Sequence, residues 1–420
     1  MNRPKPNSNP WSWVPTLYLA EGIPYVMVMT VAVILFKRMG ISNTDLAFYT
    51  SWLYLPWVIK PLWSPVVDLF KTKRWWITIM QLVIGSGLAG VALSLPGSHF
   101  FRYSLAFFWL LAFSSATHDI AADGFYMMGL NLKQQAYFVG IRNTFYRLAL
   151  IIGQGAAVML AGHLEKQMPV ARAWMLAVSS LALLFFLFFL YHLYMLPRPA
   201  EDKNTTESKN IFREFALTFV SFFQKAHIIP ALAFMLLFRL SESQLLKLAS
   251  PFMLDSRSEG GLGLPTASVG FIYGTVGIIA LAAGGILGGI LVSRKGLGYW
   301  IWWMTAAMNL PNLVYVYLAY AQPENLFLIS SCVAIEQFGY GLGFTAYTLF
   351  LILFSAGKHK TAHYALCTGF MALGMMLPGM VSGYIQDYCG YPRFFLWVML
   401  CTIPAFTVVR YIRIPEKEQL

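Results

Sequence analysis

The run Leu111–Gly129, LAFSSATHDIAADGFYMMG, is apolar enough to belong to a membrane-crossing helix, yet it carries Asp119 and Asp123. Four residues is close to one helical turn, so the two carboxyls share a face with Ser115. A charged carboxyl at the centre of a bilayer costs about 2.5–3.5 kcal/mol or more, and such groups mark ion or substrate paths. Glu21, Glu242 and Glu336 lie in other apolar runs, as do Lys60, Arg142, Arg147 and Arg239. A chain that places this much charge in hydrocarbon moves something across it.

The rest of the sequence fits that reading. Of 420 residues, 58% are hydrophobic and 11% charged, against about 25% charged in soluble domains. Apolar runs able to span about 30 Å of hydrocarbon recur from end to end. They predict twelve spans: 12–36, 45–67, 75–96, 102–129, 137–162, 173–196, 228–252, 267–292, 299–320, 326–354, 362–386 and 393–413. The start, MNRPKPNSNPWSW, is polar and Pro-rich, so no cleavable signal peptide is expected.

The net charge of +12 does not point to nucleic acid, because no soluble element gathers it into a patch. With the N-terminus inside, Lys71, Lys73, Arg74, Lys133, Arg198, Lys203, Arg294, Lys295, Lys358 and Lys360 all fall on the inner side. That bias predicts both termini in the cytoplasm. Cys332, Cys367, Cys389 and Cys401 lack metal or redox spacing and read as small hydrophobes. No metal site and no cofactor is expected.

The longest polar stretch, PRPAEDKNTTESKN (Pro197–Asn210), separates six spans from six, and the amphipathic piece Ile211–Lys225 after it suits the inner membrane surface. Landmarks repeat across it. Glu21 matches Glu242, Asp119 matches Glu336, and Asp68 at the end of span 2 matches Ser293 at the end of span 8, all at nearly one offset. The pattern is that of a parallel duplication. It predicts an all-α polytopic protein of two pseudo-symmetric six-helix bundles, 1–196 and 227–420, joined by a cytoplasmic linker at 197–226.

SPVVDLFKTKR (Ser64–Arg74) and GILVSRKG (Gly289–Gly296) occupy the places where the major facilitator superfamily carries its G-x-x-x-D-R-x-G-R-K type motif. The first keeps the Asp and the basic cluster but loses both glycines; the second keeps the glycines and Arg294 but has Ser293 for the Asp. KPLWSPVVD (Lys60–Asp68), THDIAADG (Thr117–Gly124), YRL (Tyr146–Leu148) and EQFGYGLG (Glu336–Gly343) go further. In order and position they resemble the AmpG muropeptide-permease family, in the peptide–acetyl-coenzyme A transporter group. The resemblance covers essentially the whole chain. Many bacterial members have two further C-terminal spans, whereas this chain stops at Leu420.

The resemblance implies the major facilitator fold, in which spans 1, 4, 7 and 10 line a central path. Glu21, Asp119, Asp123, Glu242 and Glu336 all fall on those four and are the candidate ion-coupling residues. Two carboxyls one turn apart repel, and a carboxyl poised between protonation states is what proton coupling requires. Arg239, three residues before Glu242, offers a structural ion pair as the plainer reading. His118 points roughly 100° away from Asp119 and reads as a packed or hydrogen-bonded group.

Asn143, Arg147 and Gln154 predict a polar stripe on span 5, with Arg147 as anion anchor because guanidinium matches carboxylate or phosphate bidentately. Arg142 lies off that face and reads as the partner of an inner-loop or span-4 carboxylate. Lys60, beside Pro61, could snorkel or reach Glu21. Tyr18 and Tyr25 flank Glu21, and with Arg239 and Gln337 they complete the candidate substrate-binding set. By resemblance Asp68, Arg74 and Arg294 form a conformational latch. The Gly-rich stretches Gly270–Leu291 and Gly339–Phe344 fall inside spans and read as close helix packing, and Pro24, Pro56, Pro61 and Pro378 as kinks.

The expectation is a monomeric secondary transporter of the inner membrane that works by alternating access with H⁺. By resemblance its cargo is a muropeptide, an anhydro-disaccharide carrying a short peptide, imported for cell-wall recycling. No ATP-binding loop is present, so gradients must supply the energy. The alternatives are another anionic solute (acetyl-coenzyme A, a siderophore or a sugar) or an intramembrane transferase using His118 and Asp119 as an acid–base pair.

Overall fold

A computed structural model describes residues 9–199, 202, 211–357 and 359–414, apart from the side chains of 68, 69, 132, 136 and 211–216. Among the described residues all regular structure is helical. In lipid this is forced, because every backbone N–H and C=O must find its partner within the protein. Nine helices among the described residues are long and apolar enough to cross a membrane: Pro10–Arg38, Lys73–Ser94, Phe100–Gly129, Lys133–Leu164, Val170–Met195, Ile228–Leu254, Thr266–Lys295, Leu326–Phe354 and Lys360–Tyr411.

The last is 52 residues long, and its backbone leaves helical geometry at Gly390 with φ 76°, so it makes two crossings. Two further spans are broken helices. Span 2 runs as Asn43–Trp52 and Leu55–Leu69, restarting where Pro56 occupies the first turn and needs no hydrogen-bonded N–H. Span 9 runs as Leu297–Asn309 and Leu313–Ala321, interrupted by a 3₁₀ turn containing Pro311. All twelve expected spans are therefore helical, with ends within a few residues of those read from the sequence.

Contacts divide the chain into two compact units. One comprises Met1–Ala32 with Leu62–Phe212, the other Val33–Pro61 with Arg213–Leu420. Each unit thus holds chain from more than one stretch. The segment Val33–Pro61 joins the second unit because Asn43–Trp52 packs along span 11. There a Cβ on Gly383 would collide with the Asn43 carbonyl.

Span 1 widens into a π-turn at Met27–Val31, just after Pro24, where the missing proline N–H loosens the hydrogen-bond ladder. Similar turns occur at Ile151–Ala156 and Ile272–Gly277. The expected amphipathic segment is helical over Ile211–Phe223. Its Phe222 ring is fully buried and stacks on Phe370. Lys225 Nζ donates to the carbonyls of Phe354 and Ala356 at 2.7 Å each, while Leu217 and Val220 face outward.

The Gly-rich stretches do pack helices closely. A Cβ on Gly284 would collide with the Phe338 carbonyl, one on Gly341 with the Leu281 carbonyl, and one on Gly288 would lie 2.9 Å from Thr345 Oγ1. Without a solvent-driven hydrophobic effect between helices, such close approach supplies the association energy. Gly341→Leu should therefore destabilise the second unit by about 1–3 kcal/mol or more, read as a lower melting temperature in detergent. Gly289→Leu, with nothing within 4 Å of its Cβ position, should leave the melting temperature unchanged.

Candidate functional site

In the first unit two helices bring three acids together. Carboxylate oxygens of Glu21, Asp119 and Asp123 lie within 4.8 Å of one another. Arg142 from span 5 reaches them, with Nη2 2.8 Å from Asp123 Oδ1. Its guanidinium lies over the rings of Tyr18 and Tyr126, at 4.5 Å and 5.5 Å from their centroids. The Tyr18 hydroxyl donates to Asp123 Oδ1 at 3.4 Å. Arg142 is thus the partner of a span-4 carboxylate. Carboxylate oxygens gathered this closely are of the kind that takes up protons or a hard cation.

His118 belongs to a buried hydrogen-bond chain. Gln81 Nε2 donates to His118 Nε2 at 3.0 Å, Gln81 Oε1 accepts from His192 Nδ1 at 3.0 Å, and His192 Nε2 meets Thr16 Oγ1 at 2.9 Å. This order places the His118 proton on Nδ1. The chain ties spans 1, 3, 4 and 6 together. A fully buried ring whose Nε2 is already engaged is not the base of a transferase.

Arg147 is half-buried, and its Nη1 is closed off from solvent without a hydrogen-bond partner. The polar stripe is only partly realised. Asn143 is exposed and Gln154 buried, because the π-turn at Ile151–Ala156 takes up an extra residue and rotates Gln154 away. Tyr25 packs on Tyr146, ring centroids 6.4 Å apart. Gly22 lets span 1 approach this region, since a Cβ there would lie 2.7 Å from Ala149 Cβ.

The second unit holds Arg239, Glu242, Glu336, Gln337 and half-buried Lys60. Arg239 and Glu242 stay within electrostatic reach of each other but form no close ion pair. The helix breaks at Phe238–Arg239, which takes Arg239 off the face that i, i+3 spacing implies. Its Nη2 donates to the Tyr340 hydroxyl at 2.5 Å, and the guanidinium lies 5.0 Å from the Phe344 centroid. Glu242 is 1% exposed, and neither carboxyl oxygen has a hydrogen-bond partner. Glu336, equally buried and within electrostatic reach of Glu242, accepts from Gln337 Nε2 at 3.0 Å. Its other oxygen has no hydrogen-bond partner.

A network absent from the sequence reading joins the corner after span 1 to spans 7 and 11. Lys37 Nζ lies 2.7 Å from Asp255 Oδ1 and donates to Asn43 Oδ1 at 2.9 Å. Asn43 Nδ2 donates to Gln386 Oε1 at 2.6 Å and to the Tyr391 hydroxyl at 3.0 Å. Tyr391 donates to Asp255 Oδ2 at 2.6 Å, and Thr44 Oγ1 to Asp387 Oδ2 at 2.5 Å. Asp255 and Lys37 sit at span ends, where charge is ordinary, so no sequence signal singled them out.

Of the three latch residues the resemblance implied, Arg74 packs against the end of span 6. Arg74 Nε donates to the Leu196 carbonyl at 3.2 Å and its Nη2 to that of Leu193. The Arg74 backbone N–H meets Asp202 Oδ2 at 3.1 Å, so Arg74 serves the end of span 6 within its own unit. Arg294 stands exposed at the end of Thr266–Lys295. The Asp68 side chain lies outside the described residues.

An all-helical chain with repeated crossings and ionic clusters inside its spans is a membrane transporter and not an enzyme. Residues 16–377 match the pattern of the Major Facilitator Superfamily, and the chain belongs to that superfamily. It is 24% identical over 407 residues to the putative transporter AmpG 4 of Rickettsia conorii, covering 94% of each. It is 23% identical over 401 residues to the anhydromuropeptide permease of Escherichia coli K12, covering 94% of this chain and 77% of the relative. In fold it is similar to a D-xylose–proton symporter, with TM-score 0.73, 10% identity and coverage of 96% and 97%. The nucleoside transporter NupG gives TM-score 0.68 at 12% identity, covering 95% of this chain and 99% of the other.

The Arg142 and Asp123 side chains are 28% and 40% exposed, so their pair contributes about 1 kcal/mol or less to stability. Asp123→Asn should therefore leave the melting temperature nearly unchanged while transport is lost. A drop of several degrees with transport intact would make the pair a structural brace.

Proposed function

We propose that this transporter imports a muropeptide, an anhydro-disaccharide bearing a short peptide, into the cytoplasm by proton symport. The similarity to an anhydromuropeptide permease over 94% of the chain carries the reading. The chemistry agrees. A cargo with sugar hydroxyls, carboxylates and amides suits a protein offering Arg147, Arg239, Gln337, Tyr18 and Tyr25 inside its spans. Alternating access would move one six-helix half against the other, and the Lys37–Asp255–Tyr391 network would break as the corner after span 1 leaves spans 7 and 11. Both termini face the cytoplasm in this reading, the membrane is the inner one, and the working unit is a monomer.

For coupling, the two units are unequal. Asp123 has Arg142 as a fixed counter-charge, whereas Glu242 and Glu336 are buried with unspent oxygens. A carboxyl without a partner in hydrocarbon is the group that must exchange protons to change state. Glu242 and Glu336 are therefore the proton carriers in this reading, and the Glu21–Asp119–Asp123 cluster orients Arg142 and the cargo.

Uptake of labelled anhydromuropeptide into proteoliposomes, with and without an inward proton gradient, tests the cargo. Accumulation should require the gradient. Uptake of acetyl-coenzyme A, a siderophore or a simple sugar instead would replace the cargo, and a sodium requirement would replace the ion. Glu336→Gln should abolish gradient-driven accumulation and preserve exchange of cargo for cargo. Accumulation at the wild-type level in Glu336→Gln would remove it from the coupling step.

A further inference from the structure

Lys247 has no role in the scheme above, yet its environment is unusual. It lies in Leu240–Leu254, seven residues before the end of span 7, and is 2% exposed. Nζ donates to Thr50 Oγ1 at 3.0 Å. Thr50 spends its own hydroxyl proton on the Leu46 carbonyl at 2.7 Å, so it can only accept from the amine. The Tyr54 ring centroid lies 5.1 Å from Nζ. No carboxylate comes within ion-pair distance of Lys247 among the described residues. Glu242, five residues earlier, sits roughly 140° around the helix.

An ammonium has three donors. Here one goes to Thr50, one faces a π-surface, and one is unspent. Two hydroxyls nearby are also unspent. Ser250 is one turn on along the same helix, 1% exposed, and its Oγ has no hydrogen-bond partner. Ser51, fully buried, has an Oγ without a partner as well. Gly379 lies beside Ser51 and Lys247: a Cβ there would lie 2.7 Å from Ser51 Oγ, 3.4 Å from Lys247 Cγ and 3.5 Å from Lys247 Cε, while Ser250 shares the Lys247 helix face at i+3. Buried donors in native proteins nearly always find acceptors, and a buried charge lacking a counter-charge is strongly unfavourable. Three unspent donors with no acid beside them are the complement of an anion, whose arrival would hold the amine in its protonated form.

We propose that Lys247, with the hydroxyls of Ser51 and Ser250, forms a binding site for a small anion, either a carboxylate of the transported solute or free chloride. The carboxylate source rests on the import reading; the site itself does not. Thr50 and Tyr54 hold the amine in place, and the missing side chain of Gly379 lets span 11 bring the Ser51 hydroxyl and the Lys247 side chain close to each other.

The full-length protein in detergent, titrated with chloride or acetate against the bulky sulfonate of HEPES at constant ionic strength, should show a saturable rise in melting temperature. Lys247→Met should abolish the response and Lys247→Arg keep it. Ser51→Ala with Ser250→Ala should weaken it by about tenfold, the equivalent of 1.4 kcal/mol, which tests the site even where Lys247→Met does not fold. The same response to chloride, acetate and HEPES sulfonate in the wild type, or an undiminished response in Lys247→Met, would overturn the proposal. The source is read from transport. If a solute carboxylate is the occupant, amidating it raises KM in the wild type but not in Lys247→Met, and chloride competes. If chloride is the occupant, amidation has no effect and chloride removal slows uptake. An anion response in a protein that transports no muropeptide would overturn the cargo and leave the site standing.

Discussion

Hydrocarbon offers no water to an unsatisfied polar group, and that constraint governs this molecule from backbone to side chains. It requires helices, and it makes each departure from regular helix a place where something else supplies the lost hydrogen bonds. Three of the departures lie beside charge. Arg239 stands at the break in span 7, the π-turn of span 5 begins four residues after Arg147, and the break in span 2 at Leu53–Tyr54 sets Tyr54 under Lys247. Irregular turns let a span present a side chain that a straight helix would aim at lipid or at its own neighbours.

The two units answer the same constraint in different ways. In the first, Arg142 lies between Asp123 and two tyrosine rings, and a chain of two histidines and a glutamine absorbs the polar atoms of four spans. In the second, Lys37 pairs with Asp255 at the span ends, while the charged groups deep in span 7 form no close ion pair. Arg239 turns to Tyr340, Glu242 keeps two unspent oxygens, and Lys247 settles for a hydroxyl and a ring. Unpaired buried charge lowers stability, so a second unit built this way gives up stability for groups that can change partner or protonation.

Much of the architecture was legible because bilayer thickness imposes a length on apolar runs, and 420 residues hold twelve of them. The carboxyls on spans 1, 4, 7 and 10 were legible for the same reason, since acids stand out against hydrocarbon, and Arg142 proved to be the partner its off-face position suggested. What escaped depended on breaks in periodicity. The Arg239–Glu242 spacing implies an ion pair only on an unbroken helix, and Gln154 continues a stripe only at 3.6 residues per turn. Lys247 was passed over because nearby Glu242 and Arg239 explained the polarity of its segment. Its isolation depends on Thr50 and Ser51, nearly two hundred residues away, and no local pattern carries that.

Asn43 shows what shared bonding does to a moving part. Its one side-chain amide accepts from Lys37 and faces three acceptors, in Gln386, Tyr391 and Asp255, with only two hydrogens to divide among them. Gly383 leaves no slack behind it. Partners that share one amide cannot be released one by one, because losing the amide's position costs all of them together. The corner therefore behaves as a fuse: it holds against small displacements and, once past a threshold, parts in a single event.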